Sequence, residues 1–550
     1  MPTPTTDPRQ RVVAFSSDVA GNDDIYLWSL DTGALVRLTD GPAEERDPAL
    51  SADGQSLSYR SNVGGTWELY QLDLATGEHS PITRGDVAAT YRARYSCHDR
   101  EPDICVYEAY RDDSLDLVLR SKAGDRWLTG DQAGDYAPAW RPGSDTLAFV
   151  SWRDGQKDLY LLDISGQDSR RVTETEYDED SPAWHPGGAR LTFVRWVDSD
   201  ADLYALDLES GQTVRLTEDP YPDLSPAYGP EGTLFWTRYV PGRPFEVHDP
   251  YRVGQWQLWM RNEGGEPRPA ELPLSMDVYT PSAGYAIWPD VPLFDAPPPP
   301  DPFRLPGRRV SLVTLDVDCA GNHPQLSEYV AGSYQTWRDD VLDRTGYDVL
   351  GQVSDMFRPL GYSTRDYGHL SWHRTGRTVD LAFEWRAPGE EENRLLVTRD
   401  DLGAQTYWRL YLKARKQDGS MGEPLTVAPW VFWFDLDRAK EPAAYAEGGR
   451  PGEIPPGYYV DLTRLAYRHG WHRIASYTED DFDWRWDSVG REFWHYQRTD
   501  GLTWWQAMLE IYDLETMERT YGWSVCVDEL GMDPTWLGPK GVPTPIPDSP

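Results

Sequence analysis

Residues 191–228 read LTFVRWVDSDADLYALDLESGQTVRLTEDPYPDLSPAY, and the order of elements within them decides the fold of the first half of the chain. An apolar-small-aromatic strand core, Leu191-Thr-Phe193, is followed by an aspartate that opens an alternating strand, Asp202-Leu-Tyr204. Then come a short Arg215-Leu-Thr217 and a turn signature, Pro226-Ala-Tyr228. Alternation with a period of two residues marks a half-buried strand. The strand core recurs at Val13-Ala-Phe15, Leu57-Ser-Tyr59, Cys105-Val-Tyr107, Leu147-Ala-Phe149 and Leu234-Phe-Trp236. The second strand recurs from Asp24, Glu68, Asp116, Asp158 and Gln257. Arg37-Leu-Thr39 and Arg171-Val-Thr173 repeat the third element, while Pro138-Ala-Trp140, Pro182-Ala-Trp184 and a weaker Pro48-Ala-Leu50 repeat the fourth. Four short strands at a period of roughly 44 residues predict a β-propeller, and six copies predict six blades.

These elements resemble the TolB-type propeller, in which the Asp-Leu-Tyr strand and the Ser-Pro-Ala-Trp turn recur. The resemblance implies a scaffold whose funnel and loops bind a protein, peptide or glycan, and it says little about activity. Two acidic loops, Tyr177–Asp180 and Asp198–Asp202, offer the oxygen ligands calcium prefers. They lack the glycine and distant glutamate of an EF-hand loop, so they are read as solvated turns, and His185 as a surface residue.

The run Asp295-Ala-Pro-Pro-Pro-Pro-Asp-Pro302 reads as an extended spacer, and the pattern changes beyond it. Arg309–Val317 alternates as a strand. Leu342–Leu360 is expected to be a helix carrying Val349, Leu350, Val353, Met356 and Phe357 on one face, followed by a short strand at Gly361–Arg365. The expected organisation is a multidomain chain: a disordered N-terminus (1–9), an all-β six-bladed propeller (10–290), a Pro-rich linker (291–308) and an α+β domain (309–550). Within the last, about residues 395–456, with Tyr407–Leu412 and Trp430–Phe434 as aromatic strands, read as an insertion that walls or lids a cleft.

Two motifs in the last third carry chemistry. SWHRTGRTVDL places His373 seven residues before Asp380, and EFWH places Glu492 three residues before His495. Two histidines and a carboxylate are the three protein ligands of a catalytic Zn²⁺, and a glutamate beside them is the base for a water nucleophile. Ser371, His373, Gly376 and Asp380, with Glu492, Trp494 and His495, resemble the zinc D-Ala-D-Ala carboxypeptidase and dipeptidase family, which includes peptidoglycan endopeptidases. Thr378 departs from the alanine usual there. The resemblance implies Zn²⁺ on His373, Asp380 and His495, with Glu492 as acid-base. It also implies an oxyanion-stabilising arginine, Arg365 or its substitute Arg358, and substrate contacts from Ser371 and Trp494. His369, four residues before His373, is a second-ranked ligand because Gly368 and Gly376 oppose a helix there. His469 and His472 are spare histidines near the site, read as candidates for substrate contact.

The formal net charge of −38 argues against nucleic acid and anionic lipid as partners, and no apolar run is long enough to cross a membrane. Four cysteines allow two disulfides, Cys97–Cys105 and Cys319–Cys526, or four buried thiols. The first residues do not read as a secretory leader, yet a wall substrate implies a secreted or surface-attached protein. Three functions stay open, the first two being a zinc peptidase cutting D-amino-acid-containing wall peptides, with the propeller holding substrate or partner, and a non-catalytic envelope binding protein with a degenerate peptidase domain. An intracellular peptidase is a third.

Overall fold

A computed structural model describes residues 9–543, except segments 84–95, 241–254, 295–308, 362–369, 387–393 and 478–482 and stretches of one to three residues elsewhere. Residues 9–287 form four-stranded antiparallel sheets of a β-propeller, six of them among the described residues. The first sheet is composite. Its strand Tyr279–Ile287 pairs with Arg9–Ser17, Val13 opposite Ala283, so both ends of this part share one sheet.

The recurring residues have a common physical role. Each acidic residue opening the second strand core is buried, and Asp24, Asp116 and Asp202 are clamped by the Thr that follows an Arg or its equivalent. Thr39 Oγ1 donates to Asp24 (3.2 Å), Thr129 to Asp116 (3.0 Å) and Thr217 to Asp202 (3.1 Å). The same hydroxyls accept the next backbone N–H, as in Ile25 to Thr39 (2.9 Å) and Leu203 to Thr217 (3.0 Å). Arg37 completes the clamp on Asp24 at 2.6 Å, and Arg171 pairs with Asp158 at 2.8 Å. A buried carboxylate is tolerated only when paired in this way.

The Pro-Ala element is a bulge and not the expected turn. Asp47, Ala137, Ser181, Ser225 and Thr280 each precede a proline and have φ between 45° and 54°. Strand register slips at Arg46/Ala49, Tyr136/Ala139, Asp180/Ala183 and Leu224/Ala227. Proline offers no N–H to the ladder, and a bulge removes the need for one.

Both expected boundaries of this part shift. Arg9 already pairs with Ile287. Leu293 bridges to Val36, and the Phe294 N–H donates to Leu35 O at 2.9 Å while its ring packs on Tyr26, so residues 291–294 belong with the first sheet. The polyproline run itself lies outside the described residues.

The second part is built on a five-stranded sheet in the order Asp318–Cys319, Gln352–Asp355, Thr378–Leu381, His495–Gln497, His472–Arg473. The helix against it is Glu328–Thr345, capped by Ser327 and ended by Gly346 at φ 76°. Val330, Tyr334, Trp337 and Val341 form its buried stripe. The expected helix at Leu342–Leu360 is therefore corrected: its apolar residues lie on the turn Val349–Gly351, the strand Gln352–Asp355 and the segment after it. They are buried from several directions, not along one helical face. The insertion contributes the strands Leu396–Leu402 and Gln405–Lys413, which pair with each other and, through the latter, with Tyr458–Asp461. Val397, Trp408 and Leu410 share one core with Trp337, Val379 and Tyr496.

Cys97 and Cys105 form a disulfide between paired strands. The Cys319–Cys526 pairing is overturned. Both are free buried thiols, and they sit in different cores, Cys319 on the edge strand of the five-stranded sheet and Cys526 among Trp504, Met508 and Tyr521.

Candidate metal centre

The sheet brings the two motifs together. Thr378–Leu381 and His495–Gln497 are adjacent antiparallel strands with Asp380 opposite His495. His373 reaches the same point from a single 3₁₀ turn, Trp372–Thr375, closed by Gly376 at φ 64°. Ser371 caps that turn: its hydroxyl accepts from the His373 N–H at 3.3 Å. Ser371 thus positions His373, where the sequence suggested a substrate contact.

One nitrogen or oxygen from each of His373, Asp380 and His495 lies within 4.8 Å of the others, and all three residues are buried. His373 Nε2 is 3.1 Å from Asp380 Oδ2, and His495 Nδ1 is 2.9 Å from Asp380 Oδ1. The outward nitrogens are occupied. His373 Nδ1 donates to Met356 O at 2.6 Å, and His495 Nε2 donates to the buried Gln497 Oε1 at 3.3 Å. Each imidazole therefore keeps its second nitrogen facing Asp380, which is how histidine ligands are oriented by partners behind them. Asp380 Oδ1 accepts no hydrogen bond of good geometry among the described residues. Burial opposes charge on Asp380, but His373 and His495 hold its carboxyl well below the usual carboxylate range. Two oriented imidazoles and one ionised carboxylate fit Zn²⁺ by number and donor type.

Glu492 stands at the rim, its Oε2 3.7 Å from His495 Nδ1. It follows the turn Val489–Arg491 and has φ 53°, a conformation glutamate adopts only when its surroundings impose it. Burial pushes its carboxyl up to about 7, Asp380 adds to this, and His495 and Arg358 hold it back. A carboxyl near neutrality, beside a cluster of ligands, can both take and return a proton.

Arg358 donates to Asp355 at 2.6 Å and places Nη2 4.0 Å from Asp380 Oδ2, so it is the cation that faces the cluster among the described residues. Arg365 and His369 lie outside them. Trp494 is buried, with its ring 4.1 Å edge-on from Phe383. The spare histidines are elsewhere: His469 is 3.4 Å from Asp340, and His472 stacks on Tyr467. Gln497 escaped sequence reading, although strand alternation places it on the same face as His495.

Thr378, where the resembling family has alanine, is fully buried with no hydrogen-bond partner for its hydroxyl among the described residues. Thr378→Val keeps the shape and removes the unpaired group. Stability is expected to rise by about 1 kcal/mol in denaturant titration; a loss of that size would mean the hydroxyl is bonded.

Residues 123–244 match the TolB beta propeller domain. The N-terminal part is a β-propeller with a TolB-type stretch at its centre. Over 161 residues the chain is 24% identical to a protein TolB homolog of Chlorobaculum tepidum, covering 29% of this chain and 26% of that protein. A Chlorobium luteolum TolB homolog is 25% identical over 158 residues, covering 29% and 35% respectively. The chain thus spans about a quarter to a third of the length of these curated relatives. Crystalline TolB from Acinetobacter baumannii superposes with a TM-score of 0.43 at 17% identity, over 50% of this chain and 66% of that one. Among the described residues no helix is long and apolar enough to cross a membrane.

Proposed function

We propose that the second part of the chain is a zinc-dependent peptidase acting on cell-wall peptides that contain D-amino acids, and that the TolB-type propeller, with six blades, holds a substrate or protein partner beside it. The observation that carries this reading is the buried His373, Asp380 and His495 cluster with Glu492 at its edge. Zinc held there supplies a Lewis acid for the scissile carbonyl. Glu492 takes the proton of the attacking water and returns it to the leaving amine, and its near-neutral carboxyl suits both transfers. Arg358 supplies a fixed positive charge where negative charge develops on the carbonyl oxygen. Met356 O and Gln497 keep both imidazoles in the required tautomer.

The Cys97–Cys105 disulfide supports an oxidising, extracytoplasmic location. The non-catalytic alternative draws on the TolB match, since it concerns the propeller alone. The two readings separate on incubation of the zinc-loaded protein with muropeptides ending in D-Ala-D-Ala. Release of D-alanine or of cleaved cross-links, abolished by a chelator and restored by zinc, is the expected result. Intact peptides after zinc loading would favour the binding protein.

A further inference from the structure

The helix Leu462–Arg468 carries Arg464 and Arg468 four residues apart, on one face. Like charges at that spacing weaken a helix taken alone, so the helix itself gives no reason for the pair. Both arginines face the propeller. Arg464 pairs with Asp23 and lies 3.8 Å from Glu44, and Arg468 Nε is 2.9 Å from Glu44 Oε1. Asp18 adds a further negative charge opposite Arg464.

A second contact lies beside the first. Arg46 of the propeller pairs with Asp23 and with Glu44, both at 2.6 Å, and extends Nη1 to Glu423 of the second part at 3.3 Å. Arg60, paired with Asp47 at 2.8 Å, comes within 3.8 Å of the same Glu423. Both guanidiniums lie against Trp67, 4.8 and 4.6 Å from its ring centre, which holds them in place. The Tyr407 hydroxyl of the second part donates to that of Tyr239 in the strand Leu234–Val240. Asp23 belongs to the first sheet, Glu44 leads into the next, and Tyr239 lies in the sheet that begins at Asp223. These three sheets are neighbours, meeting where Tyr279–Ile287 closes the ring.

Exposed ion pairs hold little together, but these are not exposed. Asp23, Glu44 and Arg46 are 4%, 5% and 8% exposed. Burial opposes charge on Glu44, yet Arg46 and Arg468 hold its carboxyl below the ordinary value. The propeller side sets Asp18, Asp23 and Glu44 against Arg46, while the other side sets Arg464 and Arg468 against Glu423. Each side alone carries an excess of one sign, and the two excesses are opposite. Such complementarity selects a partner and penalises a wrong one. We propose that this sector of the propeller is the docking surface for the chain's own second part, its acidic rim recognising the basic face of the helix Leu462–Arg468. The two parts then act as one body despite the proline run between them, and the sector is closed to an external partner. The inference does not rest on the chemistry proposed for the metal centre.

The test cuts the tether and asks whether the contact holds without it. The full chain, carrying a site-specific protease sequence inserted in the proline run 297–300, is cleaved after folding and passed over a size-exclusion column. Cleavage removes the high effective concentration a linker supplies, so only the contact can keep the halves together. At about 0.1 M salt the unaltered halves are expected to co-elute, and about 1 M salt should weaken them. In Arg464→Glu/Arg468→Glu the dissociation constant should rise at least about tenfold. Glu423→Lys disturbs the second contact from another strand and should act in the same direction, which keeps the test open if the helix variant fails to fold. Unaltered halves that separate at low salt, or halves held equally tightly in both variants, would overturn the proposal.

Discussion

Glu492→Gln is expected to lower kcat/KM on a D-Ala-D-Ala peptide by about 10²–10⁴-fold, the usual worth of a positioned acid-base group, with zinc still bound. Glutamine keeps the size and the rim position but cannot accept a proton from water. Glu492 is not among the three clustered ligands, so occupancy should not fall with the rate. The backbone strain at φ 53° is common to both side chains, so stability changes little. Paired measurement of rate and bound zinc checks this. An unchanged rate would remove Glu492 from the chemistry, and a parallel loss of zinc would make it a ligand.

The largest effect on stability is expected from Arg377, three residues before Asp380. Its side chain is 2% exposed and is fully engaged: Nε and Nη2 donate to Glu510 at 2.8 and 3.0 Å, and Nη1 donates to Asp500 at 2.7 Å. This fork ties the strand Thr378–Leu381 to the helix Trp504–Ile511. Arg377→Met leaves Glu510, itself 3% exposed, buried without its partner. The expected cost is about 3–5 kcal/mol at neutral pH. Burial already raises the Glu510 carboxyl above its ordinary value even with Arg377 opposing, and the substitution raises it further. A group whose folded pKa is raised contributes stability that is complete below its unfolded pKa and is lost as pH rises through the folded value. The deficit of the variant should therefore shrink as pH is lowered from 7 toward 5. The double variant Arg377→Met/Glu510→Gln should recover part of it. Denaturant titrations at both pH values decide; a deficit independent of pH would mean that lost packing, not the stranded carboxylate, is the cause.

The propeller is legible because repeats reuse the same contacts: Asp24, Asp116 and Asp202 each meet the equivalent threonine, so local pattern and tertiary partner coincide. The Pro-Ala element is visible but reads as a turn, since proline marks turns and bulges alike and the positive φ of the residue before it is evident only in the structure. In the second part, Val349, Leu350, Val353, Met356 and Phe357 have helical spacing yet lie beyond the glycine that ends the real helix. Ser327 and the stripe Val330, Tyr334, Trp337, Val341 held the correct signal one helix earlier. The metal motifs were legible as short-range spacings. What placed them together, Asp380 opposite His495 in adjacent strands, is a long-range pairing across 111 intervening residues before Glu492, which no local pattern encodes. Cys319 and Cys526 show the same limit: with only two thiols left over, sequence suggested a bond that the separation of two cores forbids.

The central claim is that His373, Asp380 and His495 hold zinc, and elemental mass spectrometry of the purified full chain tests it most directly. The account predicts about one zinc per chain after zinc supplementation and desalting, lost in both His373→Ala and His495→Ala. No zinc in the unaltered protein after supplementation, or zinc retained by both variants, would contradict it.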